Sequence, residues 1–172
     1  MFGKKLNEAS NFEKLSEVSG ITWPEHHRNL CENQCSQKNP VDILMALRDK
    51  IIDAPSAKSV IVFCQSTGQH NLVQTRSDIA FSMEGQSYGG SWAIWEKSED
   101  DAANIKWQNE VIAIIKPFTS THYIGETDIV QNKTRIKNSY TADKWDRLEK
   151  IRAKYDPEGL FFGFFGGITF SE

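Results

Sequence analysis

Tyr88, Trp92, Tyr123, Glu126, Asp128 and Tyr140 are the side chains in this sequence best suited to moving a proton beside a planar ligand. Phenols and carboxylates give and take protons once burial and neighbours tune them. Tryptophan supplies a flat apolar wall. In "SYGGSWAIWE" a strand's alternation puts Tyr88, Gly90, Trp92 and Ile94 on one face, and Ser87, Gly89, Ser91 and Ala93 on the other. "HYIGETD" adds a phenol and two carboxylates. An aromatic core with a solvated acidic turn accounts for the same residues on spacing alone.

Other chemistries find less support. His27, Cys31 and Cys35 fall at i, i+4, i+8, which a continuous helix would align. Structural zinc takes four such ligands and no CxxC accompanies these three, so the expectation is a surface helix with incidental thiols and no metal. Cys64 lies in "KSVIVFCQ", which reads as a strand buried on both faces, where a thiol is an inert small hydrophobe. No GxSxG elbow is present, and His70 and His122 read as solvated loop histidines. "YGGSW" and "FFGFFGG" match neither GxGxxG nor GxxxxGK[ST]; glycines beside aromatics let rings pack closely.

The elements that must position these residues are legible in outline. "NPVDILMALRDKIIDAP" predicts a helix capped by Asn39, with Pro40 first and Ile43/Leu44, Leu47 and Ile51 as its apolar stripe. "KSVIVFCQ", "DIAFSM" and "SYGGSWAIWE" predict strands. "SEDDAANIKWQNEVIAIIKPF" predicts a helix with a Ser98/Asp101 capping box and Ala103, Trp107, Val111 and Ile114 on one face. "THYIGETD" reads as a short strand or turn. "SYTADKWDRLEKIRAKYDPEG" predicts a last helix, capped by Thr141, with Trp145, Leu148, Ile151/Arg152 and Tyr155 inward. The order specifies an α+β domain with a mostly antiparallel sheet and helices on one face.

The totals narrow the function class. A net charge of −3 gives no electrostatic case for nucleic acid or an anionic membrane. No apolar run approaches the ~20 residues of a membrane helix. "MFGKKLNEASNFEK" lacks a signal peptide's apolar centre, so residues 1–20 read as a polar arm before a domain over 21–172. Three cysteines make no disulfide framework, and a reducing cytoplasm is expected.

The closing stretch "NSYTADKWDRLEKIRAKYDPEGLF" resembles the end of FAD-linked oxidoreductases of the berberine bridge enzyme type, in Tyr140, Trp145, Arg147, Leu148, Lys154, Tyr155, Asp156, Pro157, Leu160 and Phe161. "DIAFSMEGQSYGGSWAIWEKSEDDAANIKW", "KPFTSTHYIGETD" and "ILMALRDKIIDAPSAKSVIVF" are similar, in order, to earlier parts of the same substrate domain. The resemblance spans roughly residues 40–165.

It implies a substrate domain whose antiparallel sheet lies over a flavin held by another domain, with hydride transfer from a small-molecule substrate to the flavin. Tyr88, Tyr140 and Glu126 would handle protons, and Trp92, Trp95 and Tyr123 would line the pocket. Gly125 and Lys144 stand where the family carries asparagines near the flavin, and about Gly90 some members place a glutamate base. No counterpart of the FAD domain is found, so FAD is expected only with a partner domain and not on this chain alone.

Uncovered Phe161, Phe162, Phe164 and Phe165 and a sheet face would be sticky, which implies a homodimer or a separately encoded FAD-binding subunit. A flavin-free binding protein, isomerase or cyclase that kept the pocket, and a non-catalytic dimerising remnant, are the alternatives.

Overall fold

The computed structural model describes residues 9, 11–65, 80, 85–129, 132 and 134–161. Five α-helices and three strands follow one another among these residues. They are α1 (Phe12–Thr22), β1 (Arg28–Ser36), α2 (Pro40–Ile52), β2 (Val60–Gln65), β3 (Ser87–Trp95), α3 (Asp101–Ile115), α4 (Thr134–Lys137) and α5 (Ala142–Tyr155), with short 3-10 turns at Ser98–Asp100, Lys116–Phe118 and Ile124–Glu126. The sheet is antiparallel, in the order β1-β3-β2. The α+β class read from the sequence is the observed one. "DIAFSM", His70 and residues 162–172, including three of the four tail phenylalanines, lie outside the described residues, Ala80 excepted.

One face of the sheet carries the main core. Ile43 and Leu47 of α2 and Trp107, Val111 and Ile115 of α3 pack against Ala93 and Trp95 of β3, with Leu30, Ile61 and Phe63 at the margin. Each large apolar side chain buried here contributes about 1.5–3 kcal/mol. Asn39 caps α2 as expected, its Oδ1 accepting from Val41 N at 3.0 Å, and Pro40 opens the helix. The stripe is narrower than predicted. Ile43 and Leu47 are buried, while Leu44 and Ile51 stand exposed on the other side.

Four sequence-based expectations are corrected. The segment around His27, Cys31 and Cys35 is a strand, because β1 pairs with β3 along its whole length, from Arg28↔Trp95 to Ser36↔Ser87. Residues four apart then stand roughly 13 Å apart along the strand, too far to share one ion. Second, β2 is only half buried and Cys64 is exposed; among the described residues the strand pairs on one side alone, with β3. Third, α3 has no side-chain capping bond. Asp101 is its first residue and instead accepts from Trp95 Nε1 and the Arg28 guanidinium. Fourth, α5 buries Trp145 alone, while Ile151 and Tyr155 are exposed.

Two glycines make the sheet pack as it does. A Cβ on Gly89 would meet the Phe63 ring at 2.4 Å, and one on Gly90 would meet the Trp92 ring at 2.7 Å. Neighbouring glycines thus seat one aromatic ring on each face of β3.

Candidate functional site

The face of the sheet turned away from α2 and α3 carries Tyr88 and Trp92. Beside it runs the segment from Thr121, bridged to Cys35 at the outer edge of β1. Asn33 fixes that segment: its Nδ2 donates to the Tyr123 carbonyl at 2.6 Å and its Oδ1 accepts from Tyr123 N at 2.7 Å. The 3-10 turn that follows delivers Glu126 to Tyr88, whose hydroxyl donates to Glu126 Oε2. Cys31 Sγ donates to the Glu126 carbonyl at 2.8 Å, tying the same turn to the strand from below.

The electrostatics follow from this packing. Burial, reinforced by the hydrogen bond to Glu126 and its charge, holds the Tyr88 phenol far above the usual tyrosine range. Burial, with the charges of Glu126, Glu32 and Asp128, pushes the Cys31 thiol up to about 12. Tyr88 is therefore a proton donor and not a phenolate at neutral pH. The carboxylate oxygen of Glu126 is the acceptor of the pair.

The remaining predicted residues are placed as follows. Trp92 shares the Tyr88 face and meets Trp23 edge-on, with ring centres 4.8 Å apart. Trp95 does not join them. It lies on the opposite face, buried in the helix-side core. The Tyr123 ring lies over Gly125, where an added Cβ would meet it at 2.8 Å. Tyr140 packs with Trp145, ring centres 5.6 Å apart, in a second cluster built on Ile124, Ile136 and Trp145. Burial raises its phenol too. Lys144 is half buried on α5, next to Trp145. Tyr88 and Glu126 are thus bonded to each other, Trp92 shares the strand face of Tyr88, and Tyr140 belongs to the second cluster.

A polar cluster escaped the sequence reading. Glu32, Asn33 and Gln34 are almost completely buried, and so is His122, which is not the solvated loop histidine expected. Glu32 accepts from Thr127 Oγ1 at 2.5 Å and from Arg135 Nε at 3.1 Å. The His122 Nδ1–H donates to the Asn33 carbonyl at 2.6 Å, with Glu32 Oε1 at 3.3 Å, and its Nε2 accepts from Arg135 Nη1 at 2.9 Å. These partners come from three distant segments, and no local pattern announces them. The cluster positions the turn that carries Glu126.

The space of Gly89 and Gly90 is filled by Phe63 and Trp92, so this pair is not a phosphate cradle. No group of three or more His, Cys, Asp or Glu among the described residues is arranged to bind a metal ion. No helix of the described residues is long and apolar enough to cross a membrane.

This fold is the one found in FAD-linked oxidoreductases of the berberine bridge type. Berberine bridge enzyme from Eschscholzia californica matches with a TM-score of 0.61 and 18% identity, over 78% of this chain and 32% of its own. GilR, an oxidoreductase that catalyzes the terminal step of gilvocarcin biosynthesis, matches at 0.61 and 18%, over 77% and 31%. CrmK, a flavoenzyme of caerulomycin biosynthesis, matches at 0.63 and 16%, over 80% and 31%. In sequence, the uncharacterized FAD-linked oxidoreductase YvdP of Bacillus subtilis (strain 168) is 25% identical over 123 residues, 71% of this chain and 26% of the relative. The chain therefore spans about a quarter to a third of the length of these proteins. No family model matches it.

Proposed function

We propose that this chain is the substrate-binding part of an FAD-linked oxidoreductase acting on a small molecule, with the flavin held by a separate polypeptide. The observation that carries this reading is the Tyr88–Glu126 hydrogen bond on an aromatic sheet face, within a fold shared with flavoenzymes. The flavin, when bound by its own domain, supplies the hydride acceptor.

The residues of this chain do the rest. Trp92 offers a flat wall to the substrate. Glu126 takes up the substrate's hydroxyl or amine proton as the hydride leaves. Tyr88, held as a neutral phenol by burial and by Glu126, orients that carboxylate by donating its single O–H to it.

The test uses the chain purified with a flavoprotein partner from its own cells. Glu126→Gln should leave the complex intact and slow substrate-driven flavin bleaching by about a hundredfold or more. Bleaching at the wild-type rate in that variant would refute the role of the pair.

A further inference from the structure

A second cleft is built where the start of α3 meets the end of β3 and the loop before β2. Its volume is about 400 Å³, within the range of small-molecule sites. Pro55, Ala57 and Trp95 give it apolar walls, and Lys58, Glu96, Lys97, Asp100 and Asn104 give it polar ones. Trp95 belongs to the helix side of the sheet, so the cleft lies across the sheet from Tyr88.

Most of its charged groups are spent on one another. Lys58 Nζ lies 2.9 Å from Glu96 Oε1 and 2.9 Å from His27 Nε2. Lys97 Nζ lies 3.4 Å from Glu99 Oε1. Asp100 is left over: its side chain makes no capping bond at the start of α3 and no ion pair among the described residues. Asn104 follows one turn later on the same side of the helix and is 1% exposed. Its Nδ2 donates to the Asp100 carbonyl at 2.9 Å, while its Oδ1 is buried and accepts no hydrogen bond among the described residues. A buried acceptor without a donor is rare in a native fold.

The uncommitted polar atoms are thus a carboxylate and an amide oxygen, and both only accept. An anion would meet Asp100 with no free cation to hold it. A neutral hydroxyl would satisfy Asn104 and leave the Asp100 charge unpaired. A primary ammonium brings three N–H donors and the matching charge. The acids Glu96, Glu99 and Asp100 outnumber Lys58 and Lys97 here, which offsets the positive end of the α3 dipole.

We propose that this cleft binds a small organic amine, its ammonium held between the Asp100 carboxylate and Asn104 Oδ1 and its apolar chain laid against Pro55, Ala57 and Trp95. The site uses neither Tyr88 nor Glu126, so it stands or falls apart from the oxidoreductase reading.

Nuclear magnetic resonance of the isotope-labelled full chain, titrated with n-butylammonium chloride, reads this directly. The Asn104 side-chain amide signals should move saturably. At matched ionic strength, n-butanol, sodium butyrate and potassium chloride should leave them in place. Asp100→Asn, at an exposed position, should weaken the amine by about tenfold. Ala103→Phe, also at an exposed position on the cleft wall, should abolish binding by filling the space and leave distant signals unmoved. Glu126→Gln should bind the amine as the wild type does. No saturable movement up to about 100 mM amine, an equal response to butanol, butyrate or potassium, or unchanged binding in both Asp100→Asn and Ala103→Phe would each overturn the proposal.

Discussion

Glu32 shows what a single residue has to overcome to hold the site. Burial alone would raise its carboxyl, but hydrogen bonds from His122 and Thr127 and the charge of Arg135 hold it below the usual 4.5. A depressed carboxyl contributes stability that is complete above the unfolded value. That stability is lost as the pH falls through the folded one. Glu32→Gln should therefore cost about 3–5 kcal/mol at neutral pH, as a broken buried ion pair does, and should lose less further stability below pH 4.5 than the wild type does. Urea melts at pH 7 and pH 4 check both. Equal losses at the two pH values would contradict the account.

Tyr88 obeys the opposite sign. Its raised phenol keeps a proton that the unfolded chain sheds above about pH 10, so its contribution is whole below that value and is lost above it. Titration of tyrosine absorbance should show fewer than the chain's four phenols ionising near pH 10 in the folded protein. The cysteines separate similarly. Exposed Cys64 should react with iodoacetamide at pH 8, while Cys31, pushed up to about 12, and buried Cys35, also raised, should stay unlabelled until the protein unfolds. Mass spectrometry of labelled peptides reads the order, and equal labelling would deny the Cys31–Glu126 packing.

At the scale of elements, β3 is the organiser. Its glycine pair admits Phe63 on one face and Trp92 on the other, so the strand's small side chains are space for its neighbours' large ones. Gly89→Ala should destabilise by about 1–3 kcal/mol through overpacking, and the penalty should shrink in a Phe63→Ala background, where the ring it strikes is gone. Thermal melts of the four proteins close that cycle. Additive losses would place the strain elsewhere.

The sequence announced this strand because apolar and small residues alternate in it with period two. It did not announce β1. "RNLCENQCS" has no alternation, its polar residues from Glu32 to Ser36 are buried, and its strand form rests on pairing with β3 and on the Asn33 clamp to Tyr123. Long-range pairing overrode a helical spacing of His and Cys. The helices fared better where burial is one-sided, as at Ile43 and Leu47 of α2. They fared worse in α5, where Leu148 and Arg152 of the predicted inward stripe are half buried and Ile151 and Tyr155 are exposed. The Tyr88–Glu126 contact joins two segments that the sequence nominated separately, and only the fold shows them bonded.

For the whole molecule, the uncovered apolar surface is the unexplained quantity. Leu160 and Phe161 at the end of the described chain are 79% and 74% exposed, and α1 and α2 each leave an apolar stripe in solvent.

The central claim, a substrate-binding part that works on a flavin held elsewhere, is tested most directly by purifying the tagged chain from its own cells and following flavin absorbance under anaerobic conditions. The account predicts co-elution with an FAD-containing polypeptide whose yellow band bleaches when substrate-rich cell extract is added, and fails to bleach at the same rate with Glu126→Gln. A chain that elutes with no flavoprotein, and leaves added FAD unbound and unreduced in the presence of that extract, would contradict it.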